Sequence, residues 1–207
     1  MWRGDEGRTR TVDTGAGGGA RTRNRISDYF LQSSRLGFRC WRDTDPQLAI
    51  NLWGDPAVTR YISARPYTQH EVQSRLQREI EAERAHGMQY WPIFLLATGE
   101  HIGCCGFRLR EGQPQVPELG VHVAVRHWRQ GYAFESASRV IEYAFSNGKI
   151  EAIFAGHNPY NAASRGLLTR LGFVYTHDEF YAPTGLQHPS YLLHSPQAGL
   201  AQPARNL

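Results

Sequence analysis

The stretch from Glu118 to Phe145 constrains the fold more than any other part of the chain. Glu118 to Val125 alternates polar and apolar residues, as a half-buried strand does. A short basic turn follows, Arg126-His-Trp-Arg-Gln-Gly131, and then Ala133, Phe134, Ala137, Val140, Ile141, Ala144 and Phe145. Those positions recur with a period of 3.6 and make the apolar stripe of a helix, which Asn147-Gly148 ends. A strand that passes through a one-glycine turn into such a helix belongs to an α/β arrangement, with the helix packed back on the sheet.

The flanking sequence extends that pattern. Arg35 to Trp41 alternates as a strand, and Asp45-Pro46 opens a helix through Trp53 with Asp as N-cap and Pro in first position. Thr68-Gln-His-Glu71 is a capping box that opens a polar, charge-laced helix to about Ala85, stopped by Gly87. Strands are expected at 90–97 and 101–109 around the turn Thr98-Gly99-Glu100, and again at 150–155, 173–181 and 190–194. Asn158-Pro159 opens a helix with Ala163, Leu167, Leu168 and Leu171 on its apolar side and Gly172 as its stop. The order β-α-α-β-β-β-α-β-α-β-β predicts an α/β three-layer domain over residues 35–194, a mixed sheet with helices on its faces. Residues 1–34, with the run GAGGGA at Gly15–Ala20, are expected to be a disordered arm, and residues 195–207 a flexible tail.

Several function classes fall away on composition. The longest apolar run, Ile93 to Ala97, is far short of the roughly 20 residues that a membrane span needs. Met1 to Glu6 leads into no apolar stretch, so a secretory signal is not expected. Residues 1–30 and Arg205 carry most of the net charge of +4, which leaves the body almost neutral and without the clustered basic residues of a nucleic-acid surface. Cys40, Cys104 and Cys105 make neither a disulfide framework nor a metal site. They read as small buried hydrophobes in a reducing, cytoplasmic compartment.

Chemistry concentrates at the turn before the long helix. Successive backbone N–H groups there point one way and add to the positive end of the helix, which makes an anion pocket. Gly131 lets a pyrophosphate approach the backbone, and Ala133 keeps the next turn low. Neither GxxxxGK[ST] nor GxGxxG is present. The same residues also suit a plain strand-to-helix connection.

Trp128-Arg-Gln-Gly-Tyr-Ala133 resembles the (Q/R)xxGx(G/A) acetyl-coenzyme A loop of the GNAT N-acetyltransferases. Its Trp-x-x-Gly-Tyr-Ala form is similar to the branch that contains the ribosomal-protein N-terminal acetyltransferases. Three further segments resemble that branch: Asn161-Ala-Ala-Ser164 leading to Leu171-Gly172-Phe173, Arg35-Leu-Gly-Phe-Arg39, and Asp55-Pro-Ala-Val-Thr-Arg-Tyr61. The likeness covers about residues 34–194.

The resemblance implies a GNAT-like fold whose central sheet splays between strands 118–125 and 150–157. It implies acetyl-CoA as co-substrate, with no metal, and direct attack of a neutral amine on the thioester. Val121, His122 and Val123 would pair with the pantetheine arm, the amides of Arg129, Gln130, Gly131, Tyr132, Ala133 and Phe134 would hold the pyrophosphate, and Asn161 would reach the arm from the other side. Glu118 resembles the family's base, and His122 is a candidate proton relay. The family's frequent acid, a Tyr seven residues after the Asn, is Leu168 here, so Tyr160 or Ser164 would have to replace it, or the thiolate would leave unprotonated. Arg129 stands where the branch often has Gly.

The expected acceptor is a primary amine, on a protein N-terminus or a small molecule, and the expected protein is a monomer or homodimer. Trp53, Tyr61, Tyr67, Tyr175, Phe180, Tyr181 and His188 would make an aromatic rim suited to a flat or cationic acceptor. Two readings compete with this one: a CoA-binding regulatory protein without turnover, and a Cys/His hydrolase using Cys104 or Cys105 with His101.

Overall fold

The computed structural model describes residues 28–146 and 148–196. The expected disorder of residues 1–27 and the tail beyond Pro196 lie outside them. The elements are β1 (Leu31–Gln32), β2 (Leu36–Phe38), α1 (Pro46–Trp53), α2 (Pro56–Thr59), α3 (Gln69–His86), β3 (Tyr90–Leu95), β4 (His101–Arg110), β5 (Gln113–Val123), α4 (Tyr132–Ser146), β6 (Ala152–Gly156), α5 (Ala162–Arg170), β7 (Val174–Tyr181) and β8 (Leu186–His194). The strands form one eight-stranded sheet in the order β1-β2-β3-β4-β5-β6-β8-β7. Every neighbouring pair is antiparallel except β5 and β6.

Two apolar clusters cover the two faces of the sheet. One joins Phe38, Ile102, Phe107, Leu119 and Ile153 to Ala137, Val140 and Ile141 of α4 and Leu168 of α5. The other joins Trp41, Tyr90 and Cys104 to Leu52 and Trp53 of α1 and Val72, Leu76 and Ile80 of α3. Strand alternation sends neighbouring cysteines to opposite layers, Cys105 into the first cluster and Cys104 into the second. This is the expected three-layer fold.

Local signals explain most of the elements. Thr68 and Glu71 close the capping box on α3, and Gly87 ends that helix in the left-handed region at φ 66°. Asp45 behaves otherwise than expected: its carboxylate makes no helix cap and instead takes Arg39 bidentately at 2.7 and 2.9 Å and the Arg42 N–H at 2.8 Å. α2 is an added single turn, capped by Asp55 through the Ala57 N–H. The helix expected from Asn158 begins at Ala162, because Asn161 supplies the cap by accepting from the Ser164 N–H at 3.1 Å.

The boundaries of the domain need correcting at both ends. Residues 28–34 are not an arm. Leu31 is 5% exposed and pairs with Phe38, and Phe30 packs edge-on against Trp91 and Tyr143. At the far end Ser195 is buried, and its N–H bonds the Glu151 carbonyl, so the body runs one residue past the expected limit.

What pins this added edge is Glu135 in the first turn of α4. Its Oε1 accepts from the hydroxyls of Ser33 and Ser34 at 2.7 and 3.0 Å and from the Arg35 N–H at 2.8 Å. Its Oε2 accepts from Arg35 Nε at 2.6 Å. Burial pushes this carboxyl up, but the hydrogen bonds from Ser33 and Arg35 outweigh it and hold it below the usual range. A carboxyl so lowered stabilises the fold above its unfolded value, and the contribution is lost as pH falls through the folded one. Glu135→Gln is expected to cost about 2 kcal/mol in urea unfolding at pH 7. The deficit should shrink below about pH 4, the unfolded value of a glutamate. An unchanged midpoint at pH 7 would show that the clasp does not stabilise the fold.

Candidate active site

β5 and β6 share a single register pair, Glu118 with Phe154. Beyond it β5 stays paired with β4 as far as Val123 and has no register partner on β6. The Ala124 N–H bonds the Ile102 carbonyl, and with register pairs at His122–Cys104 and Gly120–Gly106 the even-numbered residues of β5 direct their backbone groups at β4. Val121 and Val123 therefore direct theirs into the gap. His122 does not, which corrects its expected main-chain role: its backbone is committed to Cys104. The Val123 carbonyl accepts from the Trp128 indole N–H at 2.6 Å, which leaves the Val123 N–H facing the opening.

The loop between β5 and α4 leaves the gap at the same end. A 3₁₀ turn, Val125–His127, is tied to Glu100 through Arg126 and His127 at 2.8 and 3.2 Å. The Gln130 side chain bonds back to the Arg126 carbonyl, and Arg35 donates to the Gln130 carbonyl at 3.2 Å and lies over the Tyr132 ring. Arg35 was not among the expected site residues, yet it braces the loop from the first hairpin.

Arg129 and Gly131 both take positive φ, 59° and 84°. For an arginine that backbone costs about 1 kcal/mol, which accounts physically for glycine as the branch's usual residue there. The two left-handed residues bend the chain sharply between the 3₁₀ turn and α4, and the amides of residues 129–134 lie in that bend. None of the six has a hydrogen-bond acceptor among the described residues; the first amide of α4 that does is Glu135, bonded to the Gly131 carbonyl. A cleft of about 520 Å³ adjoins this loop, lined by Arg35, Gly131, Phe134, Glu135, Arg139 and Arg170.

On the α1–α3 side of the sheet, Glu118 and His122 stand on one face of β5 with Gly120 between them. Only glycine fits there, because a Cβ would lie 2.2 Å from the Tyr90 ring. The Glu118 carboxylate makes no hydrogen bond or ion pair with the described residues. Burial raises its carboxyl above the usual range, Arg108 and Arg110 oppose the rise, and Glu179 adds to it. His122 Nδ1 accepts from the Trp53 indole N–H at 3.2 Å, so its proton sits on Nε2. Burial, with Arg75 and Arg108 adding to it, holds it well below its ordinary value, and it is neutral. With its one lone pair taken, His122 is a hydrogen-bond donor and not a base.

Across the gap, the Asn161 carbonyl oxygen is spent on its helix cap, which leaves its NH₂ free to donate. Tyr160 is 73% exposed, and its hydroxyl has no partner among the described residues. Ser164 is half-buried and lends its N–H to Asn161. Leu168 is in the core. Trp53 is fully buried and not part of a rim, and Tyr175, Phe180, Tyr181 and His188 stand on the β7–β8 hairpin.

The hydrolase reading fails on geometry. Burial pushes the Cys105 thiol up to about 12 and Cys104 well above its ordinary value, so neither is a thiolate at neutral pH. His101 packs against Trp41 and Phe94, and the histidine beside Cys104 is His122. No group of three or more His, Cys, Asp or Glu among the described residues is placed to hold a metal, and no described helix is long and apolar enough to cross a membrane.

Residues 35–174 match the acetyltransferase (GNAT) domain. The chain is 28% identical over 144 residues to an uncharacterized N-acetyltransferase, p20, of Bacillus licheniformis, covering 69% of this chain and 81% of that one. Its fold is similar to that of a GNAT-family acetyltransferase from Bacillus anthracis, with a TM-score of 0.69, 19% identity, and coverage of 80% of this chain and 98% of that one. It is also similar in fold to RimL, a ribosomal L7/L12 α-N-protein acetyltransferase solved in complex with coenzyme A, with a TM-score of 0.66, 16% identity, and coverage of 78% and 95%. The splayed sheet, the loop of amides without acceptors and the domain match agree: the chain belongs to the GNAT acetyltransferase family and is an acyltransferase.

Proposed function

We propose that the protein transfers the acetyl group of acetyl-CoA to a primary amine by direct attack on the thioester. The observation that carries this reading is the run of six amides, residues 129–134, without an acceptor at the positive end of α4, beside a gap lined by free strand backbone. Those amides suit a pyrophosphate. Arg170, which lies over the Phe134 ring and has no carboxylate partner among the described residues, suits a further phosphate. Val121 and the Asn161 NH₂ hold the pantetheine arm from two sides, and the Val123 N–H is aimed to stabilise the oxyanion that forms as the amine attacks.

Glu118 is the base in this reading. Its carboxyl is unpaired and part-exposed, burial raises it above the usual range, and it takes the proton that the amine sheds as it attacks the thioester. His122 positions the acceptor through Nε2–H. The thiolate is protonated from solvent, since Leu168 is buried in the core and Tyr160 is turned to water. The replacement of the family's tyrosine by Leu168 is the feature that favours binding without turnover, and thiol release separates the two readings.

Replacing Gly131 with Val places a branched side chain at φ 84° against Arg35 and the phosphate path. Gly131→Val is expected to weaken acetyl-CoA binding at least tenfold, about 1.4 kcal/mol, by calorimetry on the folded variant. Unchanged affinity would remove the loop from the binding site.

Glu118→Gln should lower kcat roughly 10²–10⁴-fold with acetyl-CoA affinity intact. In the wild type activity falls as pH drops through the raised Glu118 value, and the Gln variant should lack that limb. A raised folded value also means that ionised Glu118 opposes folding as pH rises through it, so the variant should be no less stable at pH 8. A Gln variant with near-normal kcat and the same acidic limb would take the role of base away from Glu118.

A further inference from the structure

The buried side of α3 carries Val72, Arg75, Leu76, Glu79 and Ile80, a helical stripe with two charges in it. The two fare differently. Glu79, 1% exposed, accepts from the Tyr90 N–H at 2.8 Å and from Arg108. Arg75, 5% exposed, makes no hydrogen bond or ion pair with the described residues, and its Nε is buried without a partner. Its guanidinium lies over the Trp53 ring at 4.6 Å, and the same indole donates to His122. Through that indole the guanidinium lies on the α1–α3 side of the sheet, next to the face of β5 that carries His122 and Glu118.

The other cations of that space are matched. Arg108 pairs with Glu79 and lies over the Tyr90 ring, and Arg110 pairs with Glu179 and lies over the Phe154 ring. Among the described residues the site therefore holds one unpaired buried guanidinium and one unpaired carboxyl, Glu118, on the same face. A buried charge without a partner is costly, and a guanidinium fork matches a carboxylate in two parallel hydrogen bonds. A polycationic acceptor would leave Arg75 unmatched and be repelled by it, contrary to what the aromatic rim suggested.

We propose that the acceptor is a small amino-carboxylate, bound with its carboxylate on Arg75 and its amine toward Glu118. This deepens the transferase reading above and rests on it. A free amino acid has both groups within one short molecule, whereas the amine of a protein N-terminus has no neighbouring carboxylate unless a side chain supplies it.

The test compares the wild-type protein on L-α-amino acids, each beside its α-amide, with thiol release from acetyl-CoA as readout. The carboxylate-bearing member should be favoured at least tenfold in kcat/KM. Arg75→Met should bring the ratio near one, chiefly by raising KM for the acid, with acetyl-CoA affinity retained and melting temperature equal or higher. Arg75→Lys should restore part of the preference. Equal use of acid and amide by the wild type would overturn the inference, as would a variant that melts lower and loses both acceptors alike, which is what a structural arginine predicts. If no amine releases thiol although acetyl-CoA binds, the transferase reading fails by itself. Calorimetry with the N-acetyl derivatives of the same acids, in the presence of CoA, then decides: binding lost in Arg75→Met sustains the carboxylate site, and binding absent or equal in both proteins refutes it.

Discussion

The parting of β5 from β6 is the constraint on which the site depends. Parallel strands stay together only while each backbone group finds its partner, and here the pairing ends at Glu118 and Phe154. The rest of β5 is held straight by β4 through Val123. Val121 and Val123 consequently offer donors and acceptors to whatever fills the gap. The chain then turns sharply and enters α4, so the positive end of a helix and the open edge of a strand lie at one mouth. In the proposed reading, a ligand with a phosphate at one end and an amide-bearing arm at the other meets both.

The loop at that mouth is braced from outside the core. The carboxylate of Glu135 gathers four donors from Ser33, Ser34 and Arg35, and Arg35 in turn holds the Gln130 carbonyl. With its charge met by Arg35, Glu135 does not oppose an anion at the loop. The strain of Arg129 in the left-handed region is stored in the same loop. Stability of the first hairpin and shape of the loop proposed to hold the pyrophosphate are thus one set of contacts.

The parts of this architecture visible in the sequence are those whose physics is local. Strand alternation from Glu118, the stripe on α4, the Thr68–Glu71 box and the one-glycine turn each depend on neighbours a few residues away. The parts that were not visible depend on distant partners. Leu31–Gln32 reads as the end of a polar arm until Phe38 and α4 are placed beside it. Arg35 reads as an exposed strand residue, and its partner Glu135 lies 100 positions on. His122 reads as a proton relay until Trp53, far away in sequence, occupies Nδ1. Arg75 and Glu79 fall in the apolar register of α3, but α3 carries so many charges that the stripe does not stand out in the sequence.

Amide hydrogen exchange at single-residue resolution, with and without acetyl-CoA, tests the account most directly. If the gap and the loop receive the cofactor, the amides of Val121, Val123 and residues 129–134 gain protection on binding. The His122 amide, already committed to Cys104, changes little by comparison. Protection spread evenly along β5, or confined to regions away from the gap and the loop while acetyl-CoA binds, would contradict it.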